Sequence, residues 1–187
     1  MTDLNSTPGA NRLHIGFFGA RNSGKSTLVN ALCSQRVTIV SDVPGTTTDP
    51  VYKAMGLNGL GPVTLIDTAG YDDGGELGRL RVEKTALAAE KADIAVLLFS
   101  GAAEDEAQYR FFKARKTPVL SVISNCACDR KALADRVLKL TGGAPLVIDR
   151  GDPSAAERLR RESCSLLVVF YGSTASRSCQ SDAWGIS

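Results

Sequence analysis

The segment Gly19-Ala20-Arg21-Asn22-Ser23-Gly24-Lys25-Ser26 has the form GxxxxGKS and follows directly on the apolar run Leu13 to Phe18. A loop of this kind turns a strand into a helix with its backbone N–H groups facing inward, an arrangement that suits phosphate oxygens. Lys25 then carries charge to the β- and γ-phosphates and Ser26 offers a hydroxyl to Mg²⁺. The helix that follows aims the positive end of its dipole at the anion. Gly19, Asn22, Ser23, Gly24 and Thr27 complete the expected cradle. The chemistry implied is binding of a nucleoside triphosphate with magnesium.

A second cluster, Asp67-Thr68-Ala69-Gly70, ends the apolar stretch Val63-Thr64-Leu65-Ile66, about 40 residues downstream of the loop. An Asp at the carboxyl end of a strand beside a phosphate loop can hold Mg²⁺ through water, and Gly70 lets a backbone N–H approach the γ-phosphate. Between the two clusters lies Gly45-Thr46-Thr47-Thr48-Asp49-Pro50. It is bounded by Pro44 and Pro50 and therefore reads as a loop. One of its Thr hydroxyls can reach Mg²⁺ and one of its amides the γ-phosphate, contacts that hydrolysis would release.

Elements that must position these clusters follow from alternating apolar runs and helix-period segments. Strands are expected at 13–19, 51–57, 62–67, 93–99, 118–124 and 145–149, and helices at 25–34, 80–91, 104–115, 130–140 and 154–163. That alternation predicts an α/β domain with helices on both faces of one sheet. In the helix at 80–91, Val82, Ala86 and Ala89 recur at helical spacing and are expected to face the sheet. The domain is placed at 12–163, after a polar lead-in at 1–11 and before a C-terminal tail at 164–187 to which no element is assigned.

With 22 basic and 20 acidic side chains in 187 residues, the net charge of +2 gives no nucleic-acid-binding signature. No apolar run reaches membrane-spanning length and Met1 to Ser6 lacks the features of a signal peptide, so the cytoplasm is the expected compartment. Five scattered cysteines predict reduced thiols. Cys126 and Cys128 make only half a metal site, and His14 reads as a core or edge residue.

With NxGKS, GTTxD and DTAG in that order, the chain resembles GTPases of the Era and TrmE types. Residues Gly45 to Val51, Gly61-Pro62-Val63, Asp67 to Asp73, Leu77-Gly78 and Arg81 to Thr85 make it most similar to the GTPase domain of the iron-iron hydrogenase maturation (HydF) family. The resemblance is firm over residues 13 to 100 and fades beyond. It implies a Ras-like, three-layer α/β/α fold with a six-stranded, mostly parallel sheet containing one antiparallel strand. It also implies binding of GTP and GDP with Mg²⁺. By motif, Lys25 holds the phosphates and Ser26 the metal. Thr47, with Thr46 as its rival, is the switch threonine, Asp67 orders the metal's water shell, and Gly70 senses the γ-phosphate. Asn22 stands where relatives help to coordinate potassium, so slow, potassium-stimulated hydrolysis is expected.

Tyr71 occupies the place of the water-orienting Gln of Ras-type enzymes. Gly78 occupies that of a TrmE-type glutamate, with Glu76 nearby, so no catalytic base is assigned. The guanine motif Asn-Lys-x-Asp departs from pattern as Asn125-Cys126-Ala127-Cys128-Asp129. Either Asn125 or Asp129 is in register, and Asp129 is the preferred guanine reader. Residues 146–149 are the candidate for the rest of the base pocket.

The HydF resemblance further implies a switch at 41–50 and 70–80 acting on a cluster-binding domain of the full-length factor, on radical-enzyme maturases and on apo-hydrogenase. A homodimer is a further expectation, while an iron–sulfur cluster in this chain, a membrane and nucleic acid are not expected partners. Two alternatives stay open: an Era/TrmE-type GTPase in ribosome assembly or tRNA modification, and a degenerate nucleotide-binding interaction module.

Overall fold

Alternation along the first strand sorts the molecule into layers: Ile15 and Phe17 are buried on one face of a sheet and Phe18 on the other. In the computed structural model, which describes residues 12–34, 39–43, 50–57, 60–70, 76–126, 128–149 and 151–171, seven strands and five helices follow one another. They are β1 (Leu13–Gly19), α1 (Lys25–Ser34), β2 (Ile39–Val43), β3 (Val51–Leu57), β4 (Gly61–Asp67), α2 (Glu76–Lys91), β5 (Ile94–Leu98), α3 (Ala103–Ala114), β6 (Val119–Ile123), α4 (Arg130–Thr141), β7 (Leu146–Val147) and α5 (Ala155–Tyr171). The lead-in at 1–11, the loop residues 44–49 and the tail from 172 lie outside the described residues.

The sheet order is β2-β3-β4-β1-β5-β6-β7. β3 runs antiparallel to both neighbours, whereas β4, β1, β5, β6 and β7 pair in parallel. The Ras-like α/β fold and its single antiparallel strand are thus as expected. All six expected strands are present and β2 is an addition to them. β2 exists by pairing with β3, Val43 opposite Tyr52 and Asp42 opposite Lys53. Its sequence, Ile-Val-Ser-Asp-Val, is too short and too mixed to announce a strand by itself. Residues 41–43 of the expected switch segment are consequently strand.

One core joins Ile15, Phe17, Val63, Leu65, Val96 and Leu98 of the sheet to Leu28, Val29 and Leu32 of α1 and Ala155, Ala156 and Leu159 of α5. The opposite core joins Phe18, Ile66, Leu97 and Ile123 to α2, α3 and α4. In it the Phe18 and Phe112 rings lie 4.7 Å apart at 55°. Burying two such side chains contributes roughly 1.5–3 kcal/mol each. Three strands of the central sheet therefore reach the site edge as rigid rods, packed from both sides.

Two helices differ from expectation. α2 begins at Glu76, four residues before the predicted start, so residues 76–80 of the segment expected as the second switch are helical. Of the expected stripe, Ala89 is buried and Ala86 exposed, while the side chain of Val82 lies outside the described residues; Thr85, Ala88 and, just past the helix, Ala92 complete the buried face, because the last two turns pack on Phe18 and Ile66 and this sets the rotation of the helix. α5 runs on to Tyr171 and crosses the boundary placed at 163. Leu167 is buried and Leu166 packs against the core, which draws the apolar run at 165–170 into the helix. His14 sits near the amino end of the central strand β1, partly buried: its backbone N–H donates to Asp93 Oδ2 at 2.8 Å, and its Nδ1 lies 3.5 Å from the same oxygen.

Candidate nucleotide-binding site

β1 pairs in parallel with β4 on one side and β5 on the other, which brings the carboxyl ends of all three strands to one edge of the sheet, the crevice where open α/β sheets bind ligands. From β1 the chain enters its turn through Gly19 at φ 143°, where a Cβ would stand 2.6 Å from the Leu98 carbonyl oxygen. Only glycine fits there. Asn22 at φ 61° and Gly24 at φ 102° continue the turn, and α1 begins at Lys25.

Lys25 is 6% exposed, and its Nζ donates to the carbonyl oxygens of Gly19 at 2.9 Å and Ala20 at 2.7 Å. The ammonium is therefore wrapped by the loop it must serve. Ser23, also buried, has a hydroxyl with no hydrogen-bond partner, and so does Asp67 Oδ1. Buried polar atoms without partners cost about 1–3 kcal/mol each. Finding two of them at one loop edge marks a place built to be completed by a ligand.

Burial raises the Asp67 carboxyl above its ordinary range, against the hydrogen bond from Ser26 and the charges of Lys25 and Lys53, which lower it. A desolvated carboxylate next to a serine hydroxyl, with one oxygen unpartnered, is an oxygen donor set of the kind that suits a hard divalent cation. These residues fit magnesium. Among the described residues no group of three or more His, Cys, Asp or Glu side chains gathers elsewhere as a metal cluster. Cys126 Sγ lies against the carbonyl of Cys128, and Cys128 Sγ against that of Ser100.

Past Asp67, Thr68 Oγ1 donates to the Phe17 carbonyl at 2.6 Å and locks the end of β4 to β1. Gly70 then presses on the phosphate loop so closely that a Cβ would lie 2.5 Å from both N and Cα of Arg21. The two sequence clusters are in contact, as their proposed joint role requires. Thr46 and Thr47, and likewise Tyr71, Asp72 and Asp73, lie outside the described residues.

Beside the loop opens a cavity of about 490 Å³, lined by Asn22, Thr27, Leu28, Ser124, Asn125 and Asp149 among others. Asn125 Nδ2 donates to the Asn22 carbonyl at 2.8 Å, tying the end of β6 to the phosphate loop. Asp129, the preferred guanine reader, stands apart from this cavity. Its φ and ψ are extended, its carboxylate accepts from Lys131 N–H at 2.8 Å as the N-cap of α4, and it is not among the lining residues. Asp149, in the segment expected to finish the pocket, does line it and is ion-paired with Arg130. The sequence reading missed that partner and also Ser124 and Asp152. Their shared signal is a position at or just beyond the carboxyl ends of β6 and β7.

Residues 14–125 match the model of the 50S ribosome-binding GTPase family. The GTPase Der of Parasynechococcus marenigrum is 39% identical over 127 residues, which is 64% of this chain and 28% of the relative. The tRNA modification GTPase MnmE of Jannaschia sp. is 44% identical over 94 residues, 48% of this chain and 22% of the relative. A variant Era from Aquifex aeolicus bound to GDP·AlF4⁻ superposes with a TM-score of 0.61 at 25% identity, over 82% of this chain and 55% of that one. Era in complex with MgGDPNP and a segment of 16S ribosomal RNA shares the fold, with a TM-score of 0.63 at 24% identity over 82% of this chain and 56% of that one. The chain spans about a quarter of the length of the Der and MnmE proteins it matches. Nothing in these matches points to hydrogenase maturation.

Proposed function

This chain belongs to the 50S ribosome-binding GTPase family, and from that premise we propose that it is the GTP-hydrolysing switch domain of a protein that works on ribosomal or transfer RNA. It is a GTP-binding GTPase domain related to Era, Der and MnmE. The observation that carries the nucleotide site is the pair of buried, partnerless atoms, Ser23 Oγ in the phosphate loop and Asp67 Oδ1 at the end of β4, together with the buried Lys25.

Lys25 balances charge on the β- and γ-phosphates, and inward-facing loop amides hold the same oxygens. Ser26 and Asp67 would hold magnesium, which when bound supplies positive charge against the charge that develops on the phosphate oxygens. Gly70, in contact with Arg21, couples the state of the γ-phosphate to the segment leading into α2. Thr47 is assigned the second switch contact by motif. Asn22, at the rim of the loop, is assigned the potassium contact, so hydrolysis is faster in potassium than in sodium. No side chain is assigned as base, and turnover is slow.

Membership of the 50S ribosome-binding GTPase family and relatedness to the tRNA modification GTPase MnmE support the RNA setting. The test is GTP hydrolysis by the purified chain in potassium and in sodium, with Lys25→Ala, followed by capture of partners with the intact protein. Potassium-stimulated hydrolysis lost in Lys25→Ala, with recovery of ribosomal or transfer RNA, is the expected result. Absence of hydrolysis leaves a nucleotide-binding module. Recovery of radical-enzyme maturases or apo-hydrogenase in place of RNA returns the reading to the hydrogenase role.

A further inference from the structure

With Asp129 turned into a helix cap, the geometry points to Asp149 as the carboxylate that reads the purine base, held in place by Arg130 as its positioning residue. This assignment rests on the nucleotide-binding function proposed above and specifies how that site selects its base. Guanine presents N1–H and its exocyclic amine side by side, two donors that the two oxygens of one carboxylate accept together. Adenine offers that edge a ring acceptor beside its single amine. A guanine site in this fold therefore needs an available carboxylate on the wall of the cavity beside the phosphate loop.

Three carboxylates lie near enough to consider. Asp129 Oδ1 accepts the Lys131 N–H at 2.8 Å, and the residue does not line the cavity. Asp152 lines it, but its Oδ1 accepts from both the N–H and the hydroxyl of Ser154, at 2.8 and 2.7 Å, and its Oδ2 from Arg158 at 3.1 Å. Ser154, with Arg158, holds its carboxyl below the usual range, as expected of an acceptor already saturated. Asp149 lines the same cavity with its side chain 75% exposed. Its Oδ1 is taken by Arg130, and among the described residues its Oδ2 has no protein donor. Of the two carboxylates that line the cavity, it is the one with capacity to spare.

An exposed Asp would be a poor reader if it were loose. Arg130 removes that freedom: its second guanidinium nitrogen donates to the Ser124 carbonyl at 3.2 Å, so one side chain bridges the end of β6 to the residue just beyond β7. Asn125, also on the cavity wall, is fixed to the phosphate loop through Asn22. Leu28 and Ile148 give the cavity apolar surface for the faces of a purine. The base site is thereby assembled from three chain segments, with the carboxylate supplied after β7 and not after β6.

The test is calorimetric titration of the full chain with GDP, xanthosine diphosphate and ADP. Xanthine carries a carbonyl where guanine has its amine, so a carboxylate repels it and an amide donor accepts it. Asp149→Asn is expected to weaken GDP binding by about 10- to 100-fold, the worth of a hydrogen bond to a charged group, and to tighten xanthosine diphosphate binding, inverting the preference. Arg130→Ala narrows the ratio of GDP to xanthosine diphosphate affinity without inverting it, a change that loss of a purely structural contact would not cause. In Asp129→Asn the cap is kept, because Asn caps as well as Asp, and GDP stays preferred. Retention of GDP preference in Asp149→Asn, or its inversion in Asp129→Asn, overturns the assignment alone. Wild-type chain that does not distinguish GDP from ADP overturns guanine selection itself and this assignment with it.

Discussion

Replacing Gly70 by alanine tests whether contact between the two site loops drives the chemistry. Gly70 needs no left-handed backbone, so the substitution acts by volume alone. The added Cβ would stand 2.5 Å from N and Cα of Arg21 and 2.9 Å from its Cβ. Carbon atoms in ordinary contact sit about 3.5–4.0 Å apart, so the loops must separate by roughly 1 Å or more. Two of the three opposing atoms are backbone, and no rotamer change relieves them. Overpacking of this kind costs about 1–3 kcal/mol, which in a domain of this size lowers the melting midpoint by about 2–12 °C. A misplacement near 1 Å costs a catalytic step about 100-fold. The expected result in single-turnover GTP hydrolysis is therefore a rate about 100-fold below wild type, with GDP affinity held within a few-fold, because the cavity beside the loop is not lined by Gly70. Gly143→Ala, where a Cβ meets nothing within 4 Å, is the control. Wild-type hydrolysis and an unchanged melting midpoint in Gly70→Ala would refute the reasoning.

Asp67→Asn should stabilise the ligand-free chain while abolishing magnesium-dependent GTP binding. Burial raises this carboxyl in the fold above its ordinary 3.8, so ionisation opposes folding. The penalty is absent well below pH 3.8, where both states are protonated, grows as pH rises from 3.8 towards the raised value, and is complete above it. Thermal melts should accordingly show the variant above wild type at pH 7 and level with it under strong acid; equal midpoints at pH 7 would count against the burial argument. Asn125→Ala removes the 2.8 Å bond to the Asn22 carbonyl. At about 1 kcal/mol for such a bond, GDP affinity should fall roughly 5-fold, and amide exchange in the phosphate loop should speed up. An unaltered exchange pattern would show that Asn125 does not brace the loop.

Much of the site was legible in the residues because its chemistry is local. A strand, a glycine turn, Lys25 and Ser26 adjoin in sequence, and backbone amides plus one ammonium bind phosphate wherever that order occurs. Asp67 and Gly70 could be read the same way, each being a strand end followed by a turn. The sheet strands were legible from apolar runs, since a strand covered on both faces must be apolar throughout: all five residues of β5 are buried. On α2 the expected stripe holds at Ala89 and fails at Ala86, because alanines fit either side of a helix until Phe18 and Ile66 choose one. The final turns of α5 were missed because an apolar run shows its helical period only once Leu166 and Leu167 have a core to meet.

What the sequence by itself determined is the α/β class and the order of the motifs that make the candidate phosphate site, all properties of residues that act with their chain neighbours. What only the tertiary structure decided is which distant residues meet: Gly70 against Arg21, Asn125 on Asn22, and Arg130 between Ser124 and Asp149. It also sent Asp129 to cap a helix while Asp149 took the cavity wall. The physical reason is that hydrogen bonding and packing across the sheet edge depend on positions to within a fraction of an ångström, and the packing of helices on both faces of the sheet sets those positions.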